Sequence, residues 1–404
     1  MLFRNFAFWT ASIWLLTVFC PLANAVQVGE ATKADDALKN IAIYVSKRQV
    51  ISFDVLKELA KAESAEIELV EGEADNWKQV KVSWPTESLT VVRNADGDLQ
   101  QHLNGFQGYV FSELAGNKMD AHVYRILQQI RRTNYSYGCV GDPAINEKGM
   151  AFVSKLTVKE KGICFLTNTV VDGEFRVLLG PKGDRDQKAK MPVFESADKR
   201  RQKTVAELKK RKIRTLDTLP VIVADEEVHM RPAQEVAKRA VCLMAVACEA
   251  EGRPDFSALE FLKKHGLEGS LSPAEKKLLT DKELFEKQRT VFTWRYESLA
   301  TLMWCLKQRK DLPFPDAQQR PIVDITTIEK DAKGFIANAE LRSVEEILDQ
   351  NDLAYRCNWA GVEARQKGKE QAGMILSVVY ERLYALNWIT RLKNAKWDDV
   401  STDS

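Results

Sequence analysis

Histidine is scarce in this 404-residue chain, and its four copies, His102, His122, His229 and His265, are too scattered for metal-ligand spacing. The seven cysteines include no Cys-x-x-Cys pair, so no zinc framework of that kind can form. The sequence also lacks a G-x-S-x-G nucleophile elbow, a phosphate-binding P-loop, an H-E-x-x-H pair and a glycine-rich dinucleotide turn. No cofactor is expected from such a sequence. After residue 25 no stretch reaches the roughly 18 to 20 apolar residues that a membrane-spanning helix needs.

What is present begins with an export signal. Arg4 precedes an apolar stretch over residues 6–19, followed by Pro21-Leu22-Ala23-Asn24-Ala25, the small-residue pattern of a cleavage site. Residues 1–25 therefore read as a signal peptide, and a periplasmic or secreted protein is expected. The whole chain has 59 basic and 57 acidic residues; cleavage would remove Arg4 and Cys20, leaving 58 basic residues and six cysteines over 379 positions. A balance this close to neutral points away from nucleic acid and from anionic membrane as partners.

The remaining length predicts two domains. Over residues 26–181, short strand-like runs at 40–46, 65–70, 77–84, 89–93 and 135–140 alternate with helical runs at 53–62, 102–113, 121–132 and 147–159. This is the pattern of an α+β domain. A closing hairpin is expected from 163–171 and 174–179 around Asp172-Gly173, a pair suited to a type I′ turn. Cys139 and Cys164, each in a strand-like run, are the candidates for a disulfide.

Residues 182–214 carry 13 basic and 5 acidic side chains and read as a charged linker that becomes a solvated helix near 197–213. Phe194 is its only aromatic residue, which argues against single-stranded nucleic acid. From 215 to 404 the pattern is mainly α-helical. Pro232 with Glu235 opens an apolar helix that ends at Gly252, and Ser272-Pro273-Ala274-Glu275 has capping-box spacing. A long helix spans Trp294, a break is expected at Asn351-Asp352, and the last helix carries Tyr380, Tyr384 and Trp388 at fourfold spacing, a core stripe.

Two nearly all-apolar helical stretches hold isolated charges: Arg295 and Glu297 in 291–306, and Glu381 and Arg382 in 375–390. Buried ions need partners, so an ionic lock is expected, pairing Arg295 with Glu381 and Glu297 with Arg382. The competing reading makes them a site. Glu297 or Glu381 would be a general acid or base of a hydrolase, and Arg295, Arg342, Arg356 or Arg382 would hold an anionic substrate. Asp398, Asp399 and Asp403 could together take a hard cation, though acidic tails are usually solvated.

Several phrases of the second half resemble one bacterial family, that of domain of unknown function 4272: Leu219-Pro220, RPAQEVAKR at 231–239, WRYE at 294–297, LPFP at 312–315, LRSVEEILDQNDLAYRCNW at 341–359, VYERLYALNW at 379–388 and WDDVSTD at 397–403. The resemblance covers about residue 204 to the C-terminus. It implies a helical domain, often behind a small α+β domain, and brings no reaction, cofactor or catalytic residue. The signal peptide sets this chain apart from cytosolic members. With no catalytic motif, the preferred functional expectation is an exported interaction protein, for instance an immunity-type protein that neutralises a toxin, with another protein as its partner.

Cleavage after Ala25 predicts a mature chain beginning at Val26. Mass spectrometry of the exported protein checks this, and an intact Met1 terminus would sink it.

Overall fold

The computed structural model describes residues 38–95, 97–216, 219–319, 321–369 and 373–402, so the expected signal peptide lies outside the described residues. The first domain contains β1 (Asn40–Val45), α1 (Phe53–Ala62), β2 (Glu66–Glu73), β3 (Asn76–Trp84), β4 (Glu87–Asn94), α2 (Leu99–Tyr109), α3 (Ala121–Arg131), β5 (Tyr135–Asp142), α4 (Glu147–Glu160), β6 (Ile163–Leu166), β7 (Thr169–Val171) and β8 (Val177–Leu179). The strands form one antiparallel sheet in the order β2-β3-β4-β5-β1-β6-β7-β8.

Successive side chains of a strand point to opposite faces, and β1 shows the result. Ile41, Ile43 and Val45 enter a core with α1 and α4, where Leu56, Ala60, Phe152 and Leu156 are buried. Tyr44 points the other way, into a second core with Leu103 of α2 and Ile126 and Ile130 of α3. A strand buried on both faces reads as the near-continuous apolar run Ile-Ala-Ile-Tyr-Val, and it sits mid-sheet. At one edge, β2 presents Glu66, Glu68, Glu71 and Glu73, charges that discourage pairing with another sheet.

Two expectations fail here for reasons of register. Cys139 on β5 faces Ile41 of β1, and Cys164 on β6 faces Ile43 of the same strand. The two cysteines thus stand on opposite sides of β1, at least about 9 to 10 Å apart by strand spacing alone, whereas a disulfide needs Cα atoms within about 7 Å. Both are free buried thiols. The closing hairpin is also not single. The chain turns first at Thr167, whose φ is +45°, and again after β7. At the second turn Asp172 is not half of a two-residue loop: its carboxylate accepts from the backbone N–H groups of Glu174, Arg176 and Lys190 and from Arg176 Nε. Satisfying those donors replaces the tight type I′ geometry.

One buried carboxylate escapes sequence inspection altogether. Glu160, at the end of α4, accepts from Tyr135 and Tyr137 hydroxyls at 3.2 and 2.5 Å and pairs with Lys47 at 2.9 Å. Every charge and lone-pair demand there is met inside the protein.

The second domain is helical: α5 (Glu195–Lys210), α6 (Ala233–Glu251), α7 (Ala258–His265), α8 (Pro273–Thr280), α9 (Lys282–Thr293), α10 (Arg295–Cys305), α11 (Ile322–Lys330), α12 (Ala332–Ala337), α13 (Val344–Gln366) and α14 (Leu376–Ile389). Helix α6 is its axis, buried from Val236 to Cys248 except at Lys238. It ends at Gly252 in the left-handed conformation, φ +80°, where a side chain would be strained. The Ser272 capping box forms as its spacing implies. Trp294 does not lie mid-helix; it is the joint between α9 and α10. The expected break at Asn351-Asp352 is absent, because both side chains are bonded inside a single 23-residue α13: Asn351 to Asn387 at 3.1 Å and Asp352 to Arg356 at 2.9 Å. With their polar groups satisfied by neighbours, these residues no longer compete for their own backbone.

The basic stretch is joined to the helical domain through α5. Leu208 is buried with Cys357 and Val379, and Arg200, with only 3% of its side chain exposed, pairs with Asp225 and Asp349. Ahead of α5, residues 181–191 are mostly exposed, with Gly183, Ala189 and Met191 half-buried. The first protease cut is therefore expected within 181–191, before the helix; limited digestion that nicks α5 first would contradict the anchoring by Arg200.

Candidate functional site

The four isolated charges meet across α10 and α14. Arg295 Nη1 lies 3.0 and 3.2 Å from the two carboxylate oxygens of Glu381, and the Ser298 hydroxyl donates to the same carboxylate at 2.6 Å. The Arg295 guanidinium also packs over the Tyr384 ring at 4.7 Å. The second pair is looser. Arg382 Nε stands 4.0 Å from Glu297 Oε2, a charge contact without a hydrogen bond. Each member of that pair instead holds the loop after α10: Glu297 Oε1 accepts from the Gln319 N–H at 2.6 Å, and Arg382 Nη1 donates to the Pro313 carbonyl. Burial raises the Glu297 pKa above the usual carboxylate range, despite the neighbouring Arg382 and Arg309.

The other candidate arginines are also engaged by neighbouring groups. Arg342 donates to the carbonyls of Trp304, Arg309 and Lys310, closing the turn after α10. Arg356 is 1% exposed, paired with Asp352 and directed at the Pro220 carbonyl. Asp398 accepts from the Ala274 N–H at 2.8 Å, at the first turn of α8, while Asp399 stays exposed and Asp403 lies outside the described residues. Among the described residues no group of three or more His, Cys, Asp or Glu is arranged to hold a metal ion.

None of the arginine and glutamate candidates lines the cleft where the two domains meet. That cleft, of about 550 Å³, opens between the domains. One wall is α2 and α3, with Tyr124, Gln128, Arg131 and Arg132; the other is the 220–229 segment, Tyr355 and the 390–394 turn. Among the described lining residues are the cations Arg131, Arg132, Arg391 and Lys393 and the carboxylate Glu227. Glu227 is occupied locally, accepting from the Ala224 N–H at 2.7 Å.

The cleft's shape follows from bonds that fix the domains together. Arg132 donates to the Val221 carbonyl at 3.1 Å, and the Arg48 N–H donates to the Glu226 carbonyl at 2.9 Å. Asn134 donates through Nδ2 to the carbonyls of Ser46 and Glu227. Its Oδ1 is thus left to accept, so His229 Nε2, 2.8 Å away, must carry the proton. Burial, then the nearby Arg48 and Arg391, lower the His229 pKa, which keeps the ring neutral at pH 7.

The 390–394 turn is strained. Arg391, Lys393 and Asn394 have φ of +53°, +56° and +49°, a region that non-glycine residues enter at a cost of about 1 to 3 kcal/mol each. Arg231 holds the turn in place: its Nε donates to the Trp388 carbonyl at 2.8 Å, its Nη2 to the Ala395 carbonyl at 2.7 Å, and its plane stacks on Trp388 at 4.4 Å. As a result Arg391 and Lys393 are presented to the cleft. Arg391 Nε is buried without a hydrogen-bond partner among the described residues. Burial and the adjacent Arg132 lower the Arg131 pKa, against Tyr124.

Sequence reasoning missed this cleft because its cations come from two segments some 260 residues apart, each unremarkable alone. The only local clue was Arg391-Leu392-Lys393-Asn394, a polar break directly after an apolar helix.

The fold defines a class: a helical domain behind a three-layer α+β domain, joined at a polar cleft. Residues 200–400 match the family model described as domain of unknown function (DUF4272), and the chain belongs to that family through this region. No curated protein and no solved structure matches the chain.

The Arg295–Glu381 pair leads to a stability prediction. Glu381→Ala leaves the Arg295 guanidinium without its carboxylate, while the Ser298 hydroxyl keeps the backbone carbonyl of residue 381 at 3.0 Å, a loss expected to cost about 3 to 5 kcal/mol. Chemical denaturation measures it, and a change under about 1 kcal/mol would show that the lock is not structural.

Proposed function

We propose that this chain is an exported binding protein that holds a protein partner at the cleft between its domains, in the manner of an immunity protein that neutralises a toxin. The observation that carries this reading is the composition of the cleft. Among the described residues it has cations, side-chain amides and two tyrosines, but no activated nucleophile. Its two threonines are engaged, Thr133 donating to the Gln129 carbonyl and Thr390 to the Leu386 carbonyl. Burial raises the pKa of both Tyr124 and Tyr355, so their hydroxyls stay protonated as donors. His229 donates to Asn134 and has no hydroxyl or thiol among its described hydrogen-bond partners.

The alternative, a periplasmic hydrolase built on Glu297 or Glu381, has less support. A general base must reach its substrate's proton, directly or through one water. Glu297 and Glu381 are 3% and 6% exposed and engaged by Gln319, Arg295 and Ser298. A cleft between domains is a frequent place for recognition, and rigid interdomain bonds preorganise this one.

A photocrosslinking phenylalanine analogue at Tyr124, half-buried on the cleft wall, tests the reading. In cells that export the protein, one partner should crosslink from this position and not from a matched exposed site such as Val158. Equal labelling from both positions would refute cleft recognition. Hydrolytic activity that Glu381→Gln abolishes without changing the melting temperature would replace it with the enzyme reading.

A further inference from the structure

We infer that the end of the helical domain where α5 and α13 finish docks on an anionic lipid surface, its lysines over the head groups and Phe314, Met374 and Leu376 among them. The inference goes beyond cleft recognition and does not depend on it.

The two helices run side by side in the same direction. Arg200 and Lys203 of α5 pair with Asp349 near the start of α13, Leu208 packs with Cys357, and Arg214 lies 3.9 Å from Glu363. Both C-termini therefore reach one end of the domain. Lys209, Lys210, Arg211, Lys212 and Arg214 arrive there with α5, and Arg365, Lys367 and Lys369 with α13; all eight are exposed. Helix dipoles account for part of this charge. Lys209, Lys210 and Arg365 sit in the last turns, where a cation offsets the exposed carbonyls, but Lys212, Arg214 and Lys369 lie past the caps, where that effect has faded.

The loop after α10 and the start of α14 add apolar surface at the same end. The Pro315 carbonyl accepts from the Ile375 N–H at 2.7 Å, and Phe314, Met374 and Leu376 pack, half-buried, on Leu208, Ile213 and Cys357. The Arg211 guanidinium covers the Phe314 ring at 4.0 Å. By sequence, the segments 207–218, 313–320 and 363–376 together hold nine basic and five acidic residues, an excess of four in a chain whose total is +2. The near-neutral total, which points away from membranes, is an average over an uneven surface.

The kind of cation favours lipid over other anionic surfaces. Five of the eight are lysines, compact charges on flexible stems that ask for a negative surface and not for one fixed acceptor geometry. Protein interfaces are depleted in lysine, and nucleic acid is read by bidentate arginines or by stacking on aromatic rings. Here Arg211 and Arg214 already have carboxylates in Glu207 and Glu363, and Arg211 caps the ring of Phe314. Basic clusters of about this size beside apolar side chains suit the boundary between water and an anionic bilayer. The cleft is a separate surface: Tyr355 precedes Lys367 by twelve residues of α13, about 18 Å of helix.

The test is co-sedimentation of the whole mature chain with vesicles of phosphatidylglycerol and phosphatidylcholine in equal parts, and with vesicles of phosphatidylcholine alone. Binding is expected to the anionic vesicles only, and it should weaken as salt rises. Lys209→Gln, Lys212→Gln and Lys369→Gln together should weaken it at least about ten-fold, whereas arginine at the same three positions should keep it, because the surface reads charge. A matched triple on another exposed face, Lys276→Gln, Lys277→Gln and Lys282→Gln, should stay within about two-fold of the parent. Absence of binding to the anionic vesicles overturns the inference, as do equal binding to neutral ones and equal loss in the two glutamine triples. Displacement from the vesicles by inorganic phosphate at matched ionic strength overturns it too, because the patch would then hold a small anion. If a random single-stranded oligonucleotide is retained and the vesicles are not, the surface is one for nucleic acid and the lipid inference falls.

Discussion

The helical domain depends on the meeting of α10 and α14. Both helices are apolar on nearly every side, which would let them slide or rotate against any apolar surface with little penalty. Arg295 and Glu381 remove that freedom, because two buried charges have one arrangement that satisfies them and many that do not. The Ser298 hydroxyl adds a third point, and the aromatic faces of Tyr384 and Trp397 enclose the guanidinium. The second pair, Glu297 with Arg382, is less a lock than an anchor for the loop over 313–319.

From α14 the constraint passes to the cleft. The helix ends at Ile389, and its chain must reverse within a few residues to bring Trp397 under Tyr384 and Trp388. That reversal takes three residues into the left-handed region, and Arg231 offsets the strain with carbonyl bonds on both sides of the turn. The packing demand of an aromatic cluster therefore places two cations at the domain boundary. Opposite them, α3 ends where β5 must begin, which puts Arg131 and Arg132 at the same boundary. The cleft results from two domains each finishing an element there.

Much of the fold was legible because local rules were obeyed. Period-two alternation located β3 and β4, and the capping box at Ser272 marked the start of α8. Isolated charges in apolar helices announced the α10 and α14 contact, down to the pairing. Failures came where a side chain was satisfied by something distant. Asn351 and Asp352 read as a helix break until Asn387 and Arg356 claimed them. Asp172-Gly173 read as a tight turn until Lys190, 18 residues on, bonded to the carboxylate. Cys139 and Cys164 read as partners because no sequence pattern reveals that β1 inserts between their strands.

The sequence by itself therefore determined element types, the family of the second half and the oppositely charged pairs inside it, since burial in a helix follows from composition within a few turns. Only the tertiary structure decided strand order, and with it the separation of the two cysteines. It alone brought Tyr124, Arg131, Tyr355, Arg391 and Lys393 to one cleft. The reason is physical: periodicity and capping act over one to three turns of chain, whereas a cleft is a relation between surfaces whose residues share no local signal.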